Sequence, residues 1–215
     1  MEIEVKYALP AEETADAIWK DSDLLVISDT ASSEILPFLA VYYDTEDRAL
    51  RKAKLTVRLR SEGSKVFATA KWGGSSKKGL HKREEINIPL PKSAESLRQE
   101  PRSMPPDAST FAGTEIEAQL RSLTEGKTLV PLVVMEFTRS RRKLAYEENT
   151  IELALDRGII KGSAGCLPIL EMELEHLQGP DPGCVKKLGD ELAAKYGLFP
   201  ENRSKYSRGL TLTGL

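Results

Sequence analysis

The sequence predicts an α+β protein built on an antiparallel β-sheet or barrel. Three observations carry this. Short stretches alternate apolar and polar residues with period two, as strands with one buried face do; Leu55-Thr56-Val57-Arg58-Leu59-Arg60 is the clearest. About eight such stretches follow one another with the spacing of hairpins. Helical patterns are few.

The elements read in order as follows. Residues 2–8 form a strand ended by Pro10, with Glu2, Glu4 and Lys6 on one face and Ile3, Val5 and Tyr7 on the other. Residues 11–20 form a helix with acids in its first turn and Lys20 near its end. Strands are expected at 37–44, which closes on Tyr42-Tyr43-Asp44-Thr45, and at 55–60. Glu62-Gly63 turns the chain into a returning strand over 65–72. Gly73 to Gly79 is expected as a Gly/Ser/Lys loop, and 83–89 as a strand carrying Ile86 and Ile88 on one face. The β rhythm breaks over 93–128. There, 100–109 is expected as a Pro-rich loop, and Thr114 and Glu117 have capping-box spacing for a helix over 114–123. Strands resume at 131–139, 141–147, 150–157 and 168–177. A helix over 182–196 stops at Gly197, and 203–212 is expected as a last strand.

With 215 residues, no internal repeat and no linker, the chain reads as a single domain over 1–215. Its 40% apolar residues suffice for a sizeable core. The net charge is −2, from 31 basic and 33 acidic residues, which argues against nucleic-acid binding through bulk charge. Cys166 and Cys184 lack metal-ligand spacing and read as reduced thiols of a cytoplasmic protein. Residues 1–20 have no apolar leader core, and no apolar run approaches ~20 residues, so neither a leader nor a membrane span is expected.

The charges carry the chemistry. Acids on the strands are Glu2, Glu4, Glu85, Asp156, Glu171, Glu173 and Glu175; bases are Lys6, Arg58, Arg60, Lys71, Arg139, Arg141 and the late Lys205. A solvated sheet face explains any one strand. Several strands with doubled like charges are harder to explain that way, because neighbouring like charges repel. Paired carboxylates make sense around a hard divalent cation. Paired arginines make sense along a phosphate chain, whose oxygens a guanidinium meets bidentately. Both groups facing one cavity would serve a metal-bound polyphosphate.

In this order the motifs resemble a known family. Glu2-x-Glu4-x-Lys6, Arg58-x-Arg60, Lys71, Arg83-Glu84-Glu85, Asp156, Glu171-x-Glu173 and Lys205 are similar to the CYTH domain, the triphosphate tunnel metalloenzymes, over residues 1 to about 210. Gly79-Leu80-His81-Lys82-Arg83, Ile151 to Asp156 and Ser204-Lys205 are closest to bacterial inorganic triphosphatases. The helical CHAD domain that some of those carry is not expected here.

The resemblance implies a closed eight-stranded antiparallel tunnel with a charged interior and flanking helices. It implies hydrolysis of inorganic triphosphate to pyrophosphate and orthophosphate. Substrate would lie on Lys6, Arg58, Arg60, Lys71, Arg139 and Lys205. Glu2, Glu4, Asp156, Glu171 and Glu173 would hold Mg²⁺ or Mn²⁺ as a pair of ions, one on the phosphates and one on the attacking water. Lys71 and Glu85 would act at the reaction centre, Glu85 balancing the basic wall or positioning water. Tyr42, in the family's Tyr-Asp-Thr turn, would either orient the lysine at 71 or pack in the core. Expected partners are a small triphosphate, no nucleic acid and no membrane, with the chain a monomer or homodimer.

Alternative readings are a class IV-like adenylate cyclase, a thiamine or nucleoside triphosphatase, and a non-catalytic polyphosphate-binding module. No nucleoside pocket is visible for the cyclase. Thr56 stands where animal thiamine triphosphatases carry tryptophan. Polyanion binding alone would need only the bases. Trp72 is expected in packing, and His81 and His176 at the surface. Lys77-Lys78 reads as a solvated run, or a guard at a tunnel mouth. Glu175 is left outside the metal set. Residues 93–128 are expected to cap the tunnel or cover an apolar outer face.

Overall fold

The computed structural model describes residues 1–91, 93–99 and 105–214. Its strands are β1 (Glu2–Ala8), β2 (Ser28–Asp44), β3 (Thr56–Glu62), β4 (Lys65–Lys77), β5 (Leu80–Leu90), β6 (Val130–Tyr146), β7 (Asn149–Gly162), β8 (Gly165–Gln178) and the short β9 (Phe199–Pro200). Its α-helices are α1 (Glu12–Trp19), α2 (Ser22–Val26), α3 (Ala49–Lys52), α4 (Ala94–Gln99), α5 (Glu117–Thr124), α6 (Cys184–Tyr196) and α7 (Lys205–Leu210). The order is β5-β4-β3-β2-β6-β7-β8-β1-β9, and β1 also pairs with β5. Eight antiparallel strands therefore close on themselves, and closure removes the open sheet edges. The expected barrel is present.

Alternation then assigns the faces. Inside are Glu2, Glu4 and Lys6, Arg58 and Arg60, Lys71, Arg83 and Glu85, Arg139 and Arg141, and Glu173 and Glu175, all lining one cavity. Outside, Val5, Tyr7, Leu153, Leu155, Met172 and Leu174 are buried beneath helices α1 (Glu12–Trp19) and α6 (Cys184–Tyr196). Each such side chain contributes ~1.5–3 kcal/mol of burial free energy. On the other flank, Val41, Leu55, Val57, Leu59, Ala68 and Ala70 lie beneath Leu97, Phe111, Ile116 and Leu120. Those four belong to the 93–128 insertion, which thus covers the outer apolar face rather than the lumen.

Several elements differ from expectation. β2 begins at Ser28, not 37, because its polar first half forms a ribbon with β6 at Glu34–Arg141 and Ile35–Ser140. The Gly73–Gly79 loop is mostly strand: Ser75, Ser76 and Lys77 pair with Lys82, His81 and Leu80, and a register shift after Trp72 absorbs the glycines. The strands read at 131–139 and 141–147 are one strand, paired on both sides. The helix read over 114–123 is α5 (Glu117–Thr124), and the capping box sits earlier, where Asp107 and Thr110 cap a 3-10 turn. Part of the loop read at 100–109 lies outside the described residues. The last strand, read over 203–212, is instead helix α7 (Lys205–Leu210), because the Ser204 side chain accepts from Ser207 N–H and caps a turn.

α7 enters one end of the barrel. Tyr206 stacks on Tyr42 at 4.7 Å. Gly209 lies so close to the wall that a Cβ there would meet Val133 Cγ1 at 2.4 Å. That end is apolar, with Ala40, Met135, Ile160 and Ile169 packed around Tyr206. Gly79 ties the β4–β5 turn to β1. Its φ is +79°, its carbonyl accepts from Lys6 N–H at 2.9 Å, and a Cβ would meet the Lys6 carbonyl at 2.7 Å. Among the described residues, no helix is long and apolar enough to cross a membrane.

Candidate active site

The lumen is a cavity of about 390 Å³. Register places acids and bases opposite one another across its strands. Lys6 faces Glu173, Lys71 faces Glu85, Arg139 faces Asp156 and Arg83 faces Glu2. Opposed charges on neighbouring strands attract, so at these four positions the doubled like charges of single strands meet opposite charges across the barrel.

Two centres result. The first is built from β6, β7, β8 and α7. Asp156, Glu171 and Glu173 each offer an oxygen within 4.8 Å of the others, and all three are buried. Arg139 grips Asp156 with two hydrogen bonds of 2.7 Å and reaches Glu173 Oε2 at 2.5 Å. Lys205 pairs with Asp156 at 2.7 Å, with Glu173 at 2.8 Å and with Glu171. Arg208 pairs with Glu171 Oε2 at 2.6 Å. Lys6 bridges the two centres, 2.8 Å from Glu173 and 3.1 Å from Glu4. The second centre lies on β1, β3, β4 and β5. Lys71 pairs with Glu2 at 2.7 Å and with Glu85, and Arg58 approaches Glu85 at 3.9 Å.

These neighbours set the protonation states. Burial opposes charge at Glu173, yet Lys205, Lys6 and Arg139 hold its carboxyl well below the usual range. Burial likewise opposes charge on Lys6, but Glu173 and Glu4 hold its ammonium above its ordinary value. Glu85 is kept low against burial by Lys71 and Arg58. Glu2 shares Lys71 with Glu85 but also faces Glu4, and burial with that repulsion raises it. Arg60 is lowered to about 10 by burial and by Arg58.

Of the residues expected to hold metal, the structure gathers Asp156, Glu171 and Glu173; Glu2 and Glu4 stand apart on Lys71 and Lys6. The three gathered carboxylates are hard oxygen donors suited to a divalent cation. Glu4 Oε1 supports the fit of a further ligand: it is buried, accepts no hydrogen bond and meets cations only at ion-pair distance. All six expected phosphate ligands face the cavity, with Lys205 arriving on α7 rather than on a strand. Tyr42 is not on Lys71: its hydroxyl accepts from Arg58 Nη1 at 3.0 Å. Burial opposes ionisation of that hydroxyl, but Arg58 and Lys71 lower its pKa.

Some site residues escaped the sequence reading. Glu175 and Glu152 face each other at the open mouth and line the cavity. The alternation Glu171-x-Glu173-x-Glu175 already placed Glu175 inside. Arg208 follows Lys205 by one helical turn and was hidden by the strand assignment. His81 is not at the surface: it is 2% exposed, between the Glu201 carbonyl and Arg83. Trp72 packs outside as expected, and His176 is half-buried.

Glu175 yields a prediction. Burial, then Glu2, Glu4 and Glu152, raise its carboxyl to about 8. Between the ordinary 4.5 and about 8, the folded state keeps a proton that the unfolded chain releases, so this group subtracts stability as pH rises through that window. In metal-free protein, Glu175→Gln is expected to raise stability at pH 8 by ~1–3 kcal/mol and to change nothing at pH 4. Urea melts at both values check this; equal stability of parent and variant at pH 8 would contradict it.

A closed barrel with a cation-lined lumen and a buried carboxylate triad packed against it defines a tunnel-type protein suited to metal and phosphate. The chain belongs to the CYTH domain family, matched over residues 1–210. It is 31% identical over 179 residues to an inorganic triphosphatase of Haemophilus influenzae. That match covers 80% of this chain and 44% of the relative, so the chain spans less than half the relative's length. In structure it resembles a putative adenylyl cyclase from Hippeastrum described as having a dominant triphosphatase activity (TM-score 0.68, 19% identity, 100% of this chain and 98% of that one). It also resembles a putative adenylate cyclase from Bacillus halodurans (TM-score 0.59, 21% identity, 97% and 96%). At these identities the two likenesses speak to the fold.

Proposed function

We propose that the protein hydrolyses inorganic triphosphate to pyrophosphate and orthophosphate with a divalent cation, Mg²⁺ or Mn²⁺, in the tunnel. The observation that carries this is the buried triad Asp156, Glu171 and Glu173, packed against Arg139 and Lys205 of the lumen, with Glu173 lining the cavity itself. The 31% identity to an inorganic triphosphatase supports it.

The triad, with Glu4 as a neighbouring donor, would hold the cation; Glu2 completes the acidic wall beside Lys71. Cation held there supplies Lewis acidity to the phosphoryl oxygens and to the attacking water, and a pair of ions would serve both. With the carboxylates engaged by a cation, Lys6, Arg139 and Lys205 would be free to turn their donors to the phosphate oxygens. Arg58, Arg60 and Lys71 bind the remaining phosphates. Phosphoryl transfer needs mainly alignment and charge stabilisation, which fixed cations supply without reorganisation. Glu85 holds Lys71 and Arg58 charged and in place. Tyr42 acts as a positioning residue, its hydroxyl on Arg58 and its ring on Tyr206.

The test incubates pure protein with Mg²⁺ or Mn²⁺ and either tripolyphosphate or ATP. Orthophosphate and pyrophosphate from tripolyphosphate are expected. Cyclic AMP as the main product from ATP would replace this reading with a cyclase. Tight binding without turnover of either would leave a polyphosphate-binding module.

A further inference from the structure

A neutral amide stands among the charges of the lumen. Asn87 lies on β5 opposite Thr69 of β4, and it lines the cavity. Three side chains engage it. Asn87 Nδ2 donates to Glu85 Oε1 at 2.8 Å. Asn87 Oδ1 accepts from the Thr69 hydroxyl at 2.7 Å and from Arg60 Nη2 at 3.4 Å. The two charged partners fix which way the amide points, because a carboxylate accepts and a guanidinium only donates. Thr69 is fully buried, so its hydroxyl pins Oδ1 from within the wall.

Arg60 is held differently from the other cations of the lumen. Lys6, Lys71, Arg139 and Lys205 each hydrogen-bond to a carboxylate. Arg60 instead donates to the amide of Asn87, the one hydrogen bond it makes among the described residues. Its Nε is buried with no acceptor. Its ion pair with Glu62, at 2.6 Å, draws the guanidinium along its own strand. Asn87 draws it across the wall, towards Glu85 and Lys71. A carboxylate at 87 would cancel the charge of Arg60 and repel Glu85, which shares its face of β5. An amide orients the guanidinium and leaves its charge to a phosphate oxygen.

We propose that Asn87 is a positioning residue of the lumen, which acts through Arg60: its neutral amide, pinned by Thr69, aims the guanidinium at the phosphate chain without neutralising it. This rests on the triphosphate reading of the lumen and deepens it by one residue and by the demand that this residue be uncharged.

The test reads KM and kcat for tripolyphosphate hydrolysis and, without added metal, Kd for tripolyphosphate by calorimetry. Asn87→Ala is expected to raise KM and Kd about fivefold and Asn87→Asp about tenfold or more, with kcat within about threefold of the parent. In an Arg60→Ala background, Asn87→Ala is expected to change Kd by less than about twofold, as it must if it acts through Arg60. Thr69→Val is expected to follow Asn87→Ala in part, and Thr69→Ser, which keeps the hydroxyl, to restore the parent values. Urea melts establish that each variant is folded. Parent-like Kd in Asn87→Ala, or a loss of equal size with and without Arg60, would overturn the positioning role. Absence of hydrolysis with binding intact would overturn the proposed function alone, and the Kd ratios would still decide this inference. A parent that binds no tripolyphosphate would overturn both.

Discussion

Glu171→Gln is expected to lower triphosphate hydrolysis by on the order of a thousandfold or more, about 4 kcal/mol of transition-state stabilisation, while the protein stays folded. The side chain is 1% exposed and sits in the triad with Asp156 and Glu173. Glutamine keeps the shape and one oxygen but loses the charge that a divalent cation requires. The fold tolerates the change because Lys205 retains Asp156 at 2.7 Å and Glu173 at 2.8 Å. Removing one of three crowded carboxylates also relieves repulsion, which offsets the weakened hold on Arg208. Glu4→Gln is expected to behave in the same way. Paired kinetics and urea melts check this, with circular dichroism to confirm the fold. A variant as active as the parent at each of the two positions would refute the assignment of these carboxylates to metal.

Removing a base from the same lumen has the opposite signature. Lys6→Met is expected to cost ~3–5 kcal/mol of stability in metal-free protein at pH 7, as well as activity. Lys6 is 7% exposed and lies between Glu4 and Glu173. Without it, the one ion pair left to Glu4 among the described residues is Arg83, at 3.9 Å. A buried carboxylate without its partner pays full desolvation, and its pKa rises above that of the unfolded chain. The loss is therefore greatest above that raised value and fades as pH falls towards 4.5, the ordinary value for the group. Chemical denaturation from pH 4 to pH 8 reads the effect. Unchanged stability at pH 7 would show that the lumen does not depend on matched pairs.

Much of this was legible in the sequence because strands write their faces in alternate residues. Glu2-x-Glu4-x-Lys6 and Arg58-x-Arg60 gave both the strand and the side on which its charges lie. What alternation cannot give is register. That Lys6 meets Glu173, or Arg139 meets Asp156, follows from pairing set over the whole barrel. Hence the family resemblance could imply all five acids as metal ligands, whereas three of them converge in space. The tail failed for another reason. Ser204 to Leu210 has no periodicity long enough to separate strand from helix, and the Ser204 cap together with the fit of Gly209 against Val133 settles it. His81 was misplaced because a lone histidine in a polar hairpin gives no sign of the loop at 201 that buries it.

The closure of the barrel bears on how the chain reaches this state. β1 is synthesised before the other strands of the barrel, yet it is stitched between β5 and β8, and Lys6 and Glu173 are 167 residues apart. On a ribosome that strand must wait for nearly the whole chain, holding Ile3, Val5 and Tyr7 without their cover. Loop-closure entropy makes such distant pairing slow. The hairpins β3–β4–β5 and β6–β7–β8 can form locally in the meantime. The nascent protein is therefore expected to populate an open, unzipped sheet, in which the lumen charges are still hydrated and the outer edges are still sticky. In that interval a chaperone would find its most natural grip on the first strand.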